Sequence, residues 1–131
     1  MFRPGRTALA ALAAFLASVA GGAAQELLPP SSERGGELWA KCRACHTVDK
    51  GARHIVGPNL HGMFGRRAGA LPDYRYSEAL QKSGIVWTEA TLDQYLAATQ
   101  DVVPGGKMYG GLAIAQDRLD LIAWLKTVTQ D

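Results

Sequence analysis

Two cysteines and a histidine lie close together in the first half of the chain, in the order Cys42, Cys45, His46. Thiols at this spacing can both form thioether bonds to one edge of a porphyrin, and the imidazole that follows then lies beneath the iron. The order matters, because a histidine placed elsewhere would not lie under the metal. The spacing predicts one haem c per chain, covalently attached through Cys42 and Cys45, with His46 as an iron ligand.

Cysteine pairs of this spacing also occur in zinc sites and in redox-active pairs. The chain has 2 cysteines, and its other histidines, His54 and His61, lack the mutual spacing that zinc ligands show. A thioredoxin-like redox pair would need a strand–helix–strand context, and no such pattern is visible. Haem attachment is therefore the preferred interpretation.

A methionine sulfur is a candidate for the second axial ligand. The chain has 3 methionines, of which Met1 lies in a segment predicted to be removed and Met63 follows His46 closely. Met108 lies in a loop rich in proline and glycine, where its sulfur is free to reach the iron. A lone methionine is more often a core residue, so the residues alone leave the role of Met108 open.

The N-terminal residues 1–24 have the pattern of a secretory signal peptide. Arg3 and Arg6 form a basic start, residues 8–20 are an apolar run, and residues 22–24 are small. We predict cleavage after residue 24 and, from the export, a periplasmic location in a bacterium. An uncleaved membrane anchor is the alternative, but the apolar run is shorter than the roughly 20 residues that span a bilayer.

The charge of the chain argues against nucleic acid as a partner. The chain has 14 Lys and Arg and 12 Asp and Glu, and residues 1–24 hold two of the arginines and none of the acids, so the remaining domain is neutral. It shows no basic run and no alternation of basic and aromatic residues, so nucleic-acid binding is not predicted. We expect a monomer without stable membrane insertion.

Helices with long loops must position these ligands. After an extended lead-in over 25–33, the domain should occupy 34–131, with Ser31 or Ser32 capping a helix from about 33 to 45. Further helices are predicted over 76–82, from Thr88 onward, and over 115–129; loops are predicted over 47–71 and 99–112.

One helix crossing can be predicted from side-chain spacing. Gly35 and Trp39 lie four positions apart, so they share a helix face on which the glycine permits close approach of a second helix. Trp124, on the amphipathic terminal helix, is the predicted partner. With no strand alternation or internal repeat, the fold class is all-α.

The chain resembles the class I c-type cytochromes, among them the mitochondrial form and its bacterial periplasmic relatives. The similarity runs in order through nearly the whole domain. The matching segments are 41–48 around the cysteines, 57–62, 64–66, 76–77, 84–87, 91–92, 95–96, 104–105, 107–108 and 120–126. The resemblance implies the small cytochrome c fold, in which N- and C-terminal helices cross and long loops wrap one covalent haem.

The resemblance also implies roles for individual residues. Cys42 and Cys45 would form the thioethers, with His46 and Met108 as axial ligands. Five further residues would surround the haem. The backbone oxygen of Pro58 would accept a hydrogen bond from the ligand histidine, and Tyr95 would contact Met108. The propionates would be surrounded by Arg66, Tyr76 and Trp87. The resemblance makes His54 a structural tie between loops, whereas we interpret His61 as an ordinary loop residue.

The chain departs from the family pattern at four positions around the haem. Gly106 replaces a threonine that reaches a propionate, and Leu80 replaces an asparagine near the buried propionate. Gln100 and Asp101 occupy positions that are lysines in the mitochondrial form. The last two changes put a lysine-ringed docking surface in doubt.

The expected function is that of a single-electron carrier, not an enzyme. It would shuttle between respiratory or photosynthetic complexes, which dock transiently at the haem edge, because iron held by His and Met has no open site. One alternative is a haem enzyme or ligand sensor with a displaceable Met108. Another is a dedicated electron-accepting subunit of a periplasmic dehydrogenase.

Overall fold

The computed structural model describes residues 25–131, so the predicted signal peptide lies outside the described residues. Within these residues, five α-helices follow in order and are joined by turns, loops and one short 3-10 helix. They are α1 (Ser32–Leu38), α2 (Glu78–Gln81), α3 (Glu89–Ala97), α4 (Thr99–Val102) and α5 (Ala115–Val128). Residues 25–131 contain no β-strand, only one isolated antiparallel bridge between Arg67 and Val86. The all-α prediction is confirmed.

Helix α1 begins where its cap predicts, but it is shorter than expected. Ser31 is the N-cap, and its side chain accepts a hydrogen bond from the backbone N–H of Arg34. The extended lead-in therefore ends two residues before its predicted limit. The α-helix stops at Leu38 and tightens into a 3-10 turn over Trp39–Lys41, because two adjacent glycines and the turn of the cysteine segment do not sustain a longer helix.

Helices α1 and α5 cross in close contact, as the sequence predicts. A Cβ atom at position 35 would meet the backbone oxygen of Asp120 and would lie 2.6 Å from Cβ of Trp124. The rings of Trp39 and Trp124 lie beside this crossing with their centroids 5.2 Å apart. Gly35 is therefore the residue that lets the two helix backbones approach.

Short helices lie between the long loops. Ser77 caps α2 through the N–H of Leu80, and Gly84 follows with φ +72, so this prediction holds within two residues. Thr88 and Thr91 form a reciprocal capping box on α3, although neither Glu nor Gln is present. The predicted loop over 99–112 is partly wrong, because its first four residues form α4.

Candidate haem-binding site

A cavity of about 320 Å³ opens among the helices and loops. Its wall contains all nine residues that the sequence analysis assigned to the site. They are Cys42, Cys45, His46, Pro58, Arg66, Tyr76, Trp87, Tyr95 and Met108. The nine positions span most of the domain, so the fold brings together residues that are remote in sequence.

The cysteine segment forms two overlapping turns just after α1. The N–H groups of Cys45 and His46 both donate to the backbone oxygen of Cys42, each at 3.0 Å. This compact backbone places both thiols and the imidazole on the cavity wall. Cys42 is half-buried and Cys45 is exposed; burial raises the pKa of the Cys42 thiol, and the charge of Lys41 opposes that rise.

The imidazole of His46 is held in one orientation. Its Nδ1 lies 2.8 Å from the backbone oxygen of Pro58, and because a carbonyl can only accept, Nδ1 carries the proton. Burial lowers the pKa of His46, and the hydrogen bond to Pro58 only partly offsets this. The ring is therefore neutral, with a lone pair on Nε2 that a metal can use.

Gly57 makes room for that ring. A Cβ atom at position 57 would lie 2.7 Å from Nδ1 and 2.8 Å from Nε2 of His46. The N–H of Gly57 donates to the oxygen of Cys45 at 2.7 Å, which fixes the loop against the cysteine segment. The sequence placed Gly57 only within the predicted loop over 47–71, because a contact with a side chain eleven positions away is not visible in a local pattern.

Arg66 and Trp87 are placed side by side by extended backbone pairing. The N–H of Trp87 donates to the oxygen of Arg66 at 3.0 Å, and Gly65 donates to Trp87 at 2.7 Å. The guanidinium of Arg66 also donates to the oxygen of His61 at 3.0 Å. Trp87 is buried, and its ring lies 5.2 Å from that of Tyr95.

An aromatic cluster supports Tyr76. The ring of Tyr74 lies 4.7 Å from that of Tyr76 and 5.3 Å from that of His54. The Tyr74 hydroxyl donates to the oxygen of Val56 at 2.6 Å, which joins this cluster to the loop after the cysteine segment. Burial raises the pKa of Tyr76, so its hydroxyl remains a hydrogen-bond donor. The sequence analysis missed Tyr74, which also lines the cavity.

The two remaining histidines both connect loops. Nδ1 of His54 accepts from the N–H of Asn59 at 2.9 Å, and Nε2 lies 3.1 Å from Asp73, as expected of a structural tie. His61 was expected to be an ordinary loop residue, and this is wrong. Its Nδ1 lies 3.1 Å from the oxygen of Val48, and its Nε2 lies 3.3 Å from Asp131, so it links the wrapping loop to the chain end.

Leucines from two helices complete the wall. Two buried leucines from each helix line the cavity, namely Leu92 and Leu96 on α3 and Leu121 and Leu125 on α5. The sequence predicted these apolar faces from their i, i+4 spacing but not that they face a common cavity. Their direction depends on how α3 and α5 pack, which periodicity does not show.

These residues fit a covalently attached haem. The wall is mainly apolar, it presents two thiols beside a neutral imidazole with a lone pair on Nε2, and Gly57 leaves space for that imidazole. A flat apolar ring can enter such a cavity, and its charged propionates can reach the guanidinium of Arg66. Fold and site together define a small helical protein of the kind that holds one haem through two cysteines.

Comparison with known proteins identifies the family. Residues 32–129 match the family described as Cytochrome c. The chain is 48% identical to the cytochrome c of Sesamum indicum over 104 residues, which are 77% of this chain and 94% of the relative. It is 48% identical to that of Theileria parva over 97 residues (72% and 84%) and 41% identical to that of Kluyveromyces lactis over 97 residues (72% and 88%). The chain belongs to the cytochrome c family.

Membership establishes the cofactor and the general activity. Proteins of this family bind haem c covalently through a cysteine pair, which here is Cys42 and Cys45, and they act as electron carriers with redox partners. Within residues 25–131, no helix combines the length and apolar character needed to cross a bilayer.

The predicted periplasmic location is wrong. The relatives are cytochromes c of eukaryotes, which are proteins of the mitochondrial intermembrane space and not of a bacterial periplasm. The prediction rested on residues 1–24, whose basic start and short apolar run are typical of secretory signals. That segment lies outside the described residues.

Proposed function

We propose that His46 and Met108 are the two axial ligands of the haem iron and that the protein carries single electrons between larger redox complexes. The observation that supports this most directly is the orientation of His46. Its Nδ1 is hydrogen-bonded to the backbone oxygen of Pro58, and its ring lines the cavity. Met108 lines the same cavity from a loop remote in sequence. When bound, haem supplies an iron that alternates between the ferrous and ferric states.

The remaining site residues hold the ring and control its surroundings. Arg66 supplies a positive charge for the propionates, and Tyr76 and Trp87 supply ring O–H and N–H donors. Leu80, which also lines the cavity, makes the propionate side less polar than an amide would. Tyr95 is buried beside Trp87 and lines the same cavity as Met108, where it would contact the ligand methionine.

Ligation by both His46 and Met108 would favour electron transfer as the activity. It would leave no position on the iron open to small molecules, and the bound haem would supply electron exchange at its edge. Val56 and Tyr109 line the cavity and are 73% and 79% exposed, so a partner can reach the cavity wall at these residues. A respiratory or photosynthetic complex would dock there through a small, quickly released interface.

The substitution Met108→Ala tests the proposed ligand. We expect the ferric protein to lose the absorption band near the red edge of the visible spectrum that is diagnostic of methionine sulfur on iron. Its reduction potential should fall, and azide should bind readily. Met63 also lines the cavity and is buried, so Met63→Leu is the matched control and should keep the band.

Two outcomes would contradict the proposal. If Met108→Ala keeps the band and the potential, another group is the sixth ligand. If the unaltered protein lacks the band and turns over peroxide, a haem enzyme or ligand sensor is the better interpretation. Stable co-purification with one dehydrogenase would indicate a dedicated subunit in place of a shuttle.

A further inference from the structure

Gln100 contacts the loop that carries Met108. It lies on α4 (Thr99–Val102), and its Nε2 donates to the backbone oxygen of Gly106 at 3.0 Å and to that of Met108 at 2.9 Å. Both partners are carbonyl oxygens, which can only accept, so the amino end of the side chain must face the loop. The amide of this half-buried side chain therefore uses both of its N–H groups on two backbone oxygens of the same loop.

Apart from this contact, the backbone of the loop is hydrogen-bonded at its ends, and one side chain within it, that of Lys107, reaches the oxygen of Arg75 at 3.5 Å. At its start, the N–H of Gly106 donates to the oxygen of Val103 at 3.0 Å, and at its end Leu112 donates to Leu96 at 2.8 Å. Within the described chain, the contact from Gln100 to Met108 is the only hydrogen bond that the backbone of residues 107–111 makes.

The end of the loop cannot compensate for a loss of that contact. A Cβ atom at position 111 would meet the backbone oxygen of Leu96, so the chain passes tightly against α3 there. Two side-chain N–H groups of Arg118 also fix the following segment, by donating to the oxygens of Leu112 and Ala113 at 3.0 and 2.9 Å. These contacts hold the chain after the ligand, whereas Gln100 holds the ligand residue itself.

We propose that Gln100 is a positioning residue that keeps the sulfur of Met108 at the iron. The inference rests on the proposed role of Met108 as axial ligand. Without the two donated hydrogen bonds, the backbone of Met108 is free to move away from the cavity, and the sulfur leaves the iron more often. Gln100 therefore raises the resistance of the iron to competing ligands without contacting the haem site.

The substitutions Gln100→Glu and Gln100→Leu in the haem-loaded protein test this inference. Both remove the two donors at nearly constant size, and only the first adds a charge, so a shared effect reports the lost hydrogen bonds. We expect azide to bind about tenfold more tightly, a factor that corresponds to one to two ordinary hydrogen bonds. The band that reports methionine sulfur on ferric iron should weaken in parallel, and the potential should fall.

Gln116→Glu is the matched control. Nε2 of Gln116 also donates to two oxygens, that of Leu28 in the segment before α1 and a carboxylate oxygen of Asp120 on α5, neither of which belongs to the ligand loop. This variant should lower the denaturant midpoint while azide affinity and the absorption band remain unchanged.

The outcomes separate this inference from the proposed ligation. If both Gln100 variants bind azide as the unaltered protein does, while Met108→Ala opens the iron, then Gln100 does not position the ligand. The same holds if Gln116→Glu weakens the band as strongly as the Gln100 variants do. If Met108→Ala itself has no effect, the ligand assignment fails instead.

Discussion

His46 is a residue whose chemistry depends on groups outside its own segment. The backbone oxygen of Pro58 fixes its tautomer, burial keeps it neutral, and Gly57 leaves space for its ring. The motif places the imidazole next to Cys45, but the following loop decides which nitrogen faces the cavity. The backbone of Met108, in a loop, is held in the same way by Gln100, which lies on α4.

The substitution Gly57→Ala should displace the imidazole. The added Cβ would lie 2.7 Å from Nδ1 of His46, which is closer than packed atoms allow, and the His46–Pro58 hydrogen bond would break or lengthen. We expect a weakened iron–imidazole bond, seen as a changed Soret spectrum, and a loss of about 1–3 kcal/mol in the free energy of unfolding. Gly110→Ala is the control, because within the described residues no atom other than those of its chain neighbours lies within 4 Å of a Cβ there.

At the scale of helices, the α1–α5 crossing joins the two ends of the domain. Gly35 allows the approach, the two tryptophan rings pack beside it, and Asp120 accepts hydrogen bonds from the N–H of Ser31 and from Gln116. Arg34 forms an ion pair with the same buried carboxylate. The cap of α1 is therefore also tied to α5.

Gly35→Ala should separate the two helices. Its Cβ would meet the backbone oxygen of Asp120, which cannot move as a flexible side chain can. We expect a net loss of about 1–3 kcal/mol in the free energy of unfolding, even though alanine is the better helix former. At position 36 a Cβ would lie 3.0 Å from Nε1 of Trp124, a side-chain atom. Equal losses for Gly35→Ala and Gly36→Ala in urea titrations would contradict this explanation.

The ionisation of Asp120 should make the stability of the fold depend on pH. Burial raises the pKa of its carboxyl, but the N–H of Ser31, the amide of Gln116 and the charge of Arg34 outweigh this, so the pKa lies below its usual value. A depressed carboxyl pKa stabilises the fold above the unfolded value of about 4, and this stabilisation disappears as pH falls through the folded pKa.

Asp120→Asn should therefore lower the free energy of unfolding by about 1–2 kcal/mol near neutral pH. This difference from the unaltered protein should shrink as pH falls below about 4. Urea unfolding at several pH values measures it. A difference for Asp120→Asn that stays constant down to pH 2 would show that the carboxylate charge contributes nothing.

For the molecule as a whole, the cavity lies where a small domain would otherwise have its core. The buried leucines of α3 and α5 line it beside aromatic rings, and domains of about 100 residues bury only a limited fraction of their surface. A bound haem would fill this space and give the long loops a common surface to pack against.

Removal of the covalent attachment should unfold most of the domain. A Cys42→Ser, Cys45→Ser double variant, which cannot form thioethers, should lose most of its helical circular dichroism and its cooperative unfolding transition. Cys45→Ser alone keeps one attachment point and should retain more of both. A double variant that remains as helical as the unaltered protein, with no haem absorbance, would show that the polypeptide core is sufficient by itself.

The sequence predicted where helices begin better than where they end or which loops they contact. The cap of α1 was predictable because a cap is a relation between residues three positions apart, as between Ser31 and Arg34. The end of α1 and the existence of α4 were not predicted, because packing decides both. His61 was misjudged for the same reason, since its partner Asp131 lies at the other end of the chain.

The sequence by itself determined the chemistry of attachment and the fold class, because the thiols and the imidazole lie within one turn of backbone and helix faces repeat at short range. It did not determine the cell compartment, for which the pattern of residues 1–24 suggested the wrong location. Only the tertiary structure decided that nine remote residues face one cavity, that Gly57 makes room for His46 and that Gln100 holds the loop of Met108. Contacts between distant segments depend on how helices and loops pack in three dimensions, and no local pattern of residues encodes that packing.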